Sequence, residues 1–202
     1  MRRVFSDKLG DFAAVYEDVE LVSVDRPTSV TTTSAGAWMA QGGKIEAQWK
    51  QSASEPEAAG IALAPIRDQA LRSSLCDEIS QGVDLLTDLL DCATVGLRAA
   101  TLSGPMCPRF HTDRVRCRML ITLGGPATEW IAHEEVDFDL LADRDSREVP
   151  LRTGGHVRTF NSGAWSLLKG GRWDHHFQGV VHRSPHAYDA RLLLTFDPLF
   201  RN

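Results

Sequence analysis

The residues best suited to chemistry are His111 and Asp113, in the stretch MCPRFHTD at positions 106–113. An imidazole and a carboxylate two residues apart can sit side by side on one metal ion. Taken alone, the same pair could equally be a His–Asp hydrogen bond stabilising a turn. A third donor is available in His182, 69 positions after Asp113, and Arg191 follows 9 positions later. Two imidazoles and one carboxylate can cover one face of an octahedral ion and leave three positions open, the arrangement that suits Fe(II) in O₂ activation. Those positions could take a bidentate 2-oxo acid and then O₂. The far carboxylate of such an acid calls for a cation, and arginine offers a planar two-pronged donor. Arg191 shares a strand face with Leu193 and Thr195, so the Thr195 hydroxyl could add a hydrogen bond. Arg116, Arg118 and Lys169 are alternative anchors.

Other reactive side chains have to be weighed against this set. Thiolate ligands favour Zn²⁺ over Fe(II), so the cysteines flanking the motif matter. Cys107, four residues before His111, could lie near the site, whereas Cys117 falls on the apolar face of its strand. Cys76 and Cys92 read as small core residues on or beside a helix. His175 and His176, in RWDHH, fall in a loop that could border a pocket, as does His186. Strand alternation aims Arg183 away from His182, so it is expected in a supporting ion pair. Glu129 and Trp130 could also border the pocket.

The elements that must position these groups follow from periodicity. Residues 67–91 carry Leu71, Leu75, Ile79, Val83, Leu86 and Leu90 at steps of three and four, which predicts a helix lying on a sheet. Ser74 and Asp77 resemble a capping box and suggest a restart near Ser73. The stretch 12–24 reads as one strand, and 28–60 has too weak a period to choose among helix, hairpin and loop. From residue 94 onward the pattern changes to short strands separated by Gly and Pro turns. They are expected at 94–102, 107–111, 115–123, 128–132, 155–160, 164–170, 179–184 and 191–197. In 115–123, Val115, Cys117, Met119, Ile121 and Leu123 share one face, and Arg116, Arg118, Leu120 and Thr122 the other. The set predicts a two-sheet jelly roll, or double-stranded β-helix, at about 93–202, supported by an α-rich region at 1–92 in a single α+β domain.

Composition narrows the function classes. The 202 residues are 43% hydrophobic and 24% charged, enough for a sizeable core. Residues 1–104 hold 9 Lys/Arg against 15 Asp/Glu, and residues 105–202 hold 13 against 12. With a net charge of −5 and no long basic run, non-specific nucleic-acid binding is disfavoured. All seven histidines lie between His111 and His186, so imidazole chemistry belongs to the second half. No apolar run approaches the roughly 20 residues of a membrane span. Free thiols and the lack of a signal-like segment make the cytoplasm the expected location.

The order His111-x-Asp113, His182, Arg191 resembles the 2-oxoglutarate/Fe(II)-dependent dioxygenase superfamily, a cupin-like fold, over about residues 93–197. CPRFHTDRVRCRMLITLGGPATEW, SLLKGGRW and VVHRSPH…RLLLTFDP further resemble an uncharacterised bacterial family, domain of unknown function eighteen-twenty-six, over most of the chain. The superfamily likeness implies a hydroxylase-type oxygenase of unknown small-molecule or peptide substrate. Its metal would be held by His111, Asp113 and His182, with 2-oxoglutarate anchored by Arg191 and a second hydrogen bond from Thr195, or by Arg118 instead. Cys107, Lys169, His175 and His176 would be possible pocket residues. The narrower family is often associated with zinc-responsive gene neighbourhoods. That implies an alternative: a cupin-like zinc- or other metal-binding protein in metal homeostasis, without oxygenase activity.

Overall fold

The computed structural model describes residues 1–26 and 30–200. In chain order the elements are β1 (Arg2–Ser6), a 3₁₀ segment (Leu9–Tyr16), β2 (Val19–Val24), α1 (Val30–Ala40), β3 (Glu46–Gln51), α2 (Glu57–Ala62), α3 (Gln69–Leu90) and β4 (Thr94–Leu102). There follow β5 (Cys117–Leu123), β6 (Glu129–Ile131), a 3₁₀ turn (His133–Glu135), α4 (Phe138–Ala142), β7 (Val157–Thr159), β8 (Trp165–Lys169), β9 (Val181–Arg183) and β10 (Arg191–Leu199). A seven-stranded sheet runs β1-β2-β8-β5-β10-β4-β3, and a three-stranded sheet runs β7-β6-β9. Among the described residues, only the β1–β2 pairing is parallel.

Strand alternation sends each strand's side chains to two different cores. From β5, β8 and β10, Cys117, Met119, Ile121, Trp165, Leu167, Leu192, Leu194 and Phe196 join the large core with α3. The opposite faces supply Leu120, Leu168 and Leu193, with Leu21 of β2, to a second core shared with Trp130, Phe160, Phe177 and Val180. Helices thus cover one face of the large sheet and the small sheet covers the other. This is an α+β double-stranded β-helix. On α3, Leu71, Leu75, Ile79, Val83 and Leu86 are each at most 1% exposed. At roughly 1.5–3 kcal/mol per buried aliphatic side chain, that stripe is a large part of what holds helix to sheet.

Several sequence expectations change. Helix α3 does not restart near Ser73: it runs unbroken from an N-cap at Asp68, whose carboxylate accepts from the Leu71 N–H at 3.0 Å. Residues 12–24 are not one strand. Phe12 and Val15, three apart and both buried, lie in the 3₁₀ segment, and the strand is confined to 19–24. The 28–60 stretch holds α1, β3 and α2; its residues 28 and 29, like Pro27 of the expected break before it, lie outside the described residues, as do 201 and 202 of the expected 93–202 unit. The strand expected at 107–111 shrinks to a single bridge at His111, because Pro108 has no N–H to donate. Region 1–92 contributes strands as well as helices: β1 and β2 form one end of the large sheet, and β3 the other.

Candidate metal centre

His111 and His182 lie directly opposite each other across an antiparallel bridge. Each backbone N–H donates to the other's carbonyl at 3.0 Å. Paired residues point to the same side, and the two rings stand 4.6 Å apart. His182 also pairs with Trp130 of β6, which faces the inter-sheet core, so both imidazoles face the barrel interior.

The second nitrogen of each ring is tied down locally. His111 Nδ1 lies 2.9 Å from the Arg109 carbonyl and His182 Nδ1 lies 3.0 Å from the Val180 carbonyl. A carbonyl can only accept, so both rings carry their proton on Nδ1 and present a bare Nε2. Each Nε2 faces the Asp113 carboxylate, His182 at 3.5 Å from Oδ2 and His111 at 3.8 Å from Oδ1. These separations are too long for the turn-stabilising His–Asp hydrogen bond. All three donor atoms lie within 4.8 Å of one another. Cis ligands about 2.1 Å from a common ion sit roughly 3 Å apart, so the donors would have to draw together by up to about 2 Å to complete the face. Burial pushes the His182 pKa down to about 4, the Asp113 charge opposing, so the ring is neutral at physiological pH, as a ligand must be.

Asp113 is placed by glycines. Its carbonyl accepts from the Gly171 N–H at 2.9 Å, and Gly170 and Arg172 N–H groups bond to Arg116 and Val115. A Cβ on Gly170 would lie 2.2 Å from the Val115 carbonyl oxygen. Gly179 crosses the same place at φ +97°, where a Cβ would lie 2.8 Å from the Gly171 nitrogen.

The arginines have distinct surroundings. Arg118 points into the barrel, as Leu120 does, and all three of its guanidinium nitrogens donate to carboxylates. Nη1 donates to Asp113 Oδ2 at 2.8 Å, and Nε and Nη2 donate to Asp197 at 2.6 and 2.8 Å. Burial works against its charge, but Asp197 and Asp113 outweigh that and raise its pKa. Arg191, at the start of β10, is only 2% exposed. Its Nη2 donates to the Gly104 carbonyl at 3.3 Å, and its buried Nη1 has no partner among the described residues. Burial lowers its pKa. Thr195 shares its face but lies four residues along, about 13 Å at the rise of a strand. It lines a groove with Arg118 and Asp197 and so does not sit beside the Arg191 head group. Arg116 lies over the Phe200 ring.

Other candidates lie elsewhere. Lys169 pairs with Cys117 and so faces the helix-side core, where its ammonium donates to the Glu17 carbonyl at 3.0 Å and stands over Trp173. It therefore cannot serve the inter-sheet pocket. His175 and His176 are exposed in the 171–178 loop. Cys107 pairs with Ser184 through backbone and hydroxyl and does not join the three-ligand group. Burial pushes the Cys117 thiol up to about 12. Arg183 points outward and pairs with Glu129 at 2.6 Å. Two partners escaped the sequence reading, Asp197 and Gly170. Alternation along β10 puts Asp197 on the Arg191 face, and the Gly pair after SLLK marks a close backbone approach.

The model of the family described as protein of unknown function (DUF1826) matches residues 6–197. No curated protein matches the sequence. Among solved structures, the chain is similar to the dioxygenase for auxin oxidation 1 from Arabidopsis thaliana in its 2-oxoglutarate binary complex. The TM-score is 0.56 at 10% identity, covering 100% of this chain and 93% of that one. It is also similar to a Pseudomonas putida prolyl-4-hydroxylase, with TM-score 0.52 at 12% identity, covering 96% and 100%. The rice dioxygenase for auxin oxidation gives 0.52 at 10% identity, covering 98% and 83%. At these identities the likeness is one of fold.

Proposed function

We propose that this chain, which belongs to the DUF1826 family of proteins of unknown function, is a non-haem Fe(II)/2-oxoglutarate-dependent oxygenase of the hydroxylase type. One observation carries the reading: three convergent donors, two imidazoles with bare Nε2 atoms and one carboxylate, lie on the inter-sheet side with a buried arginine whose Nη1 has no partner among the described residues. A nitrogen- and oxygen-only donor set with no cysteine in the group suits Fe(II). A buried cation without a counter-charge is costly, and a dicarboxylate co-substrate would supply that charge.

In this reading His111, Asp113 and His182 hold Fe(II), and Arg191 takes the distal carboxylate of 2-oxoglutarate. Arg118 is occupied by two carboxylates and Lys169 lies on the other side of the sheet, so neither competes for that role. When bound, Fe(II) and 2-oxoglutarate supply an oxidant from O₂, with release of succinate and CO₂. The chain's own contribution is positional. The bridge fixes the two rings, the Arg109 and Val180 carbonyls fix their tautomers, and Leu120, Leu168 and Leu193 belong to the apolar inter-sheet core.

The test is anaerobic addition of Fe(II) and 2-oxoglutarate, followed by O₂. A weak visible charge-transfer band and succinate formation are expected. Tight zinc binding with neither band nor turnover would replace this reading with that of a zinc-binding protein.

A further inference from the structure

We propose that Arg118 is a positioning residue for the metal ligand Asp113, itself held in place by Asp197; this rests on the metal-site reading above. The guanidinium uses three N–H donors in two directions, one to Asp113 Oδ2 and two to Asp197. Such a span needs a rigid planar fork, and a single ammonium could not reproduce it. Arg118 bonds to Oδ2, which also faces the His182 Nε2 at 3.5 Å, and leaves Oδ1, facing His111, without a bond from this arginine. A carboxylate pinned in this way binds through one oxygen. A freely rotating one could chelate through both and occupy one of the three positions that the chemistry needs open.

The anchor is independent of the ligand loop. Asp113 lies in the segment before β5, Arg118 on β5 and Asp197 on β10, the neighbouring strand. The ligand's orientation is thus referred to the centre of the large sheet. Arg118, Thr195 and Asp197 also line an open groove of about 570 Å³ with Lys50, Arg98 and Met106. The network therefore forms a wall shared by that groove and the metal centre.

Co(II) titration, followed by calorimetry and visible absorption, tests this without requiring turnover. Arg118→Met is expected to weaken Co(II) binding about 10- to 100-fold and to alter the Co(II) spectrum, as loss of a ligand's hydrogen-bond partner does. Asp197→Asn should change both in the same direction by less. The double variant should bind no more weakly than Arg118→Met, because the two residues act in series. Arg2→Met, whose exposed pair with Glu17 lies on the outer strand of the large sheet, should leave Co(II) affinity and spectrum at wild-type values. Wild-type Co(II) binding in both Arg118→Met and Asp197→Asn would overturn the proposal, as would fully additive losses. Should Arg118→Met fail to fold, Asp197→Asn, whose side chain is 30% exposed, decides alone. Absence of Co(II) binding in the wild type would overturn this and the metal-site reading together. Normal Co(II) binding without 2-oxoglutarate turnover would overturn the oxygenase reading alone.

Discussion

Replacing Arg191 by Met should move two measurements in opposite directions. The guanidinium is buried, donates one 3.3 Å hydrogen bond to a neutral carbonyl, and leaves Nη1 unpaired. Exchanging a buried charged group for an apolar one of similar volume is often stabilising by ~1–4 kcal/mol. The lost bond to Gly104 returns part of that, so a gain of about 1–2 kcal/mol is expected in the ligand-free protein. For a domain of this size that is a rise of roughly 2–8 °C in Tm. The effect on 2-oxoglutarate has the other sign. Truncating one partner of a buried charge pair costs ~2–5 kcal/mol. At about 1.4 kcal/mol per decade, co-substrate affinity should fall roughly 30- to 3000-fold. Differential scanning fluorimetry without co-substrate gives the first quantity. Calorimetric titration of 2-oxoglutarate into Zn(II)-loaded protein, which is redox-inert, gives the second. A variant that is destabilised yet binds 2-oxoglutarate normally would refute the reasoning and make Arg191 a structural residue.

His182→Ala should abolish stoichiometric Fe(II) or Co(II) uptake measured by metal analysis, and full occupancy would remove the site. Gly170→Ala should destabilise the fold by about 1–3 kcal/mol in urea unfolding, through overpacking against the Val115 carbonyl, and should weaken metal binding because the same backbone seats Asp113. Arg158 holds the Glu135 carboxyl down to about 2 from the usual 4.5. A depressed carboxyl contributes stability above its unfolded pKa, and that contribution is lost as pH falls through the folded value. Wild-type stability should therefore decline between about pH 4.5 and 2 partly through this pair, and Arg158→Met should flatten that part of the profile in pH-dependent urea melts.

What the sequence made legible was local. The step of three and four along α3 and the alternation of β4, β5, β8 and β10 each depend on a residue's near neighbours, and the structure places those elements within a few residues of expectation. The grouping of His111, Asp113 and His182 was legible because their chemistry restricts which partners make sense. What was not legible depended on contacts distant in sequence. Alternation put Arg118 opposite the apolar face of its strand, but nothing in the sequence set Asp197 beside it, so Arg118 read as a candidate anchor for the co-substrate. Thr195 read as a neighbour of Arg191 because face was known and distance along the strand was ignored. The FAAVY stretch has strand-like composition, yet its Phe12 and Val15 fall on one side of a 3₁₀ turn.

The position of β10 bears on how the chain is made. It is the last of the described strands in sequence, yet it lies between β5 and β4. A nascent chain that has not reached residue 191 can form only two fragments, β1-β2-β8-β5 and β4-β3, each with a newly bare edge. Such edges invite pairing with other chains. Synthesis from the ribosome therefore leaves this sheet divided until its final strand emerges, and β10, in closing the gap, delivers Arg191 and Asp197 together. Refolding from denaturant, where β10 is present from the start, should accordingly aggregate less than chains stalled before it.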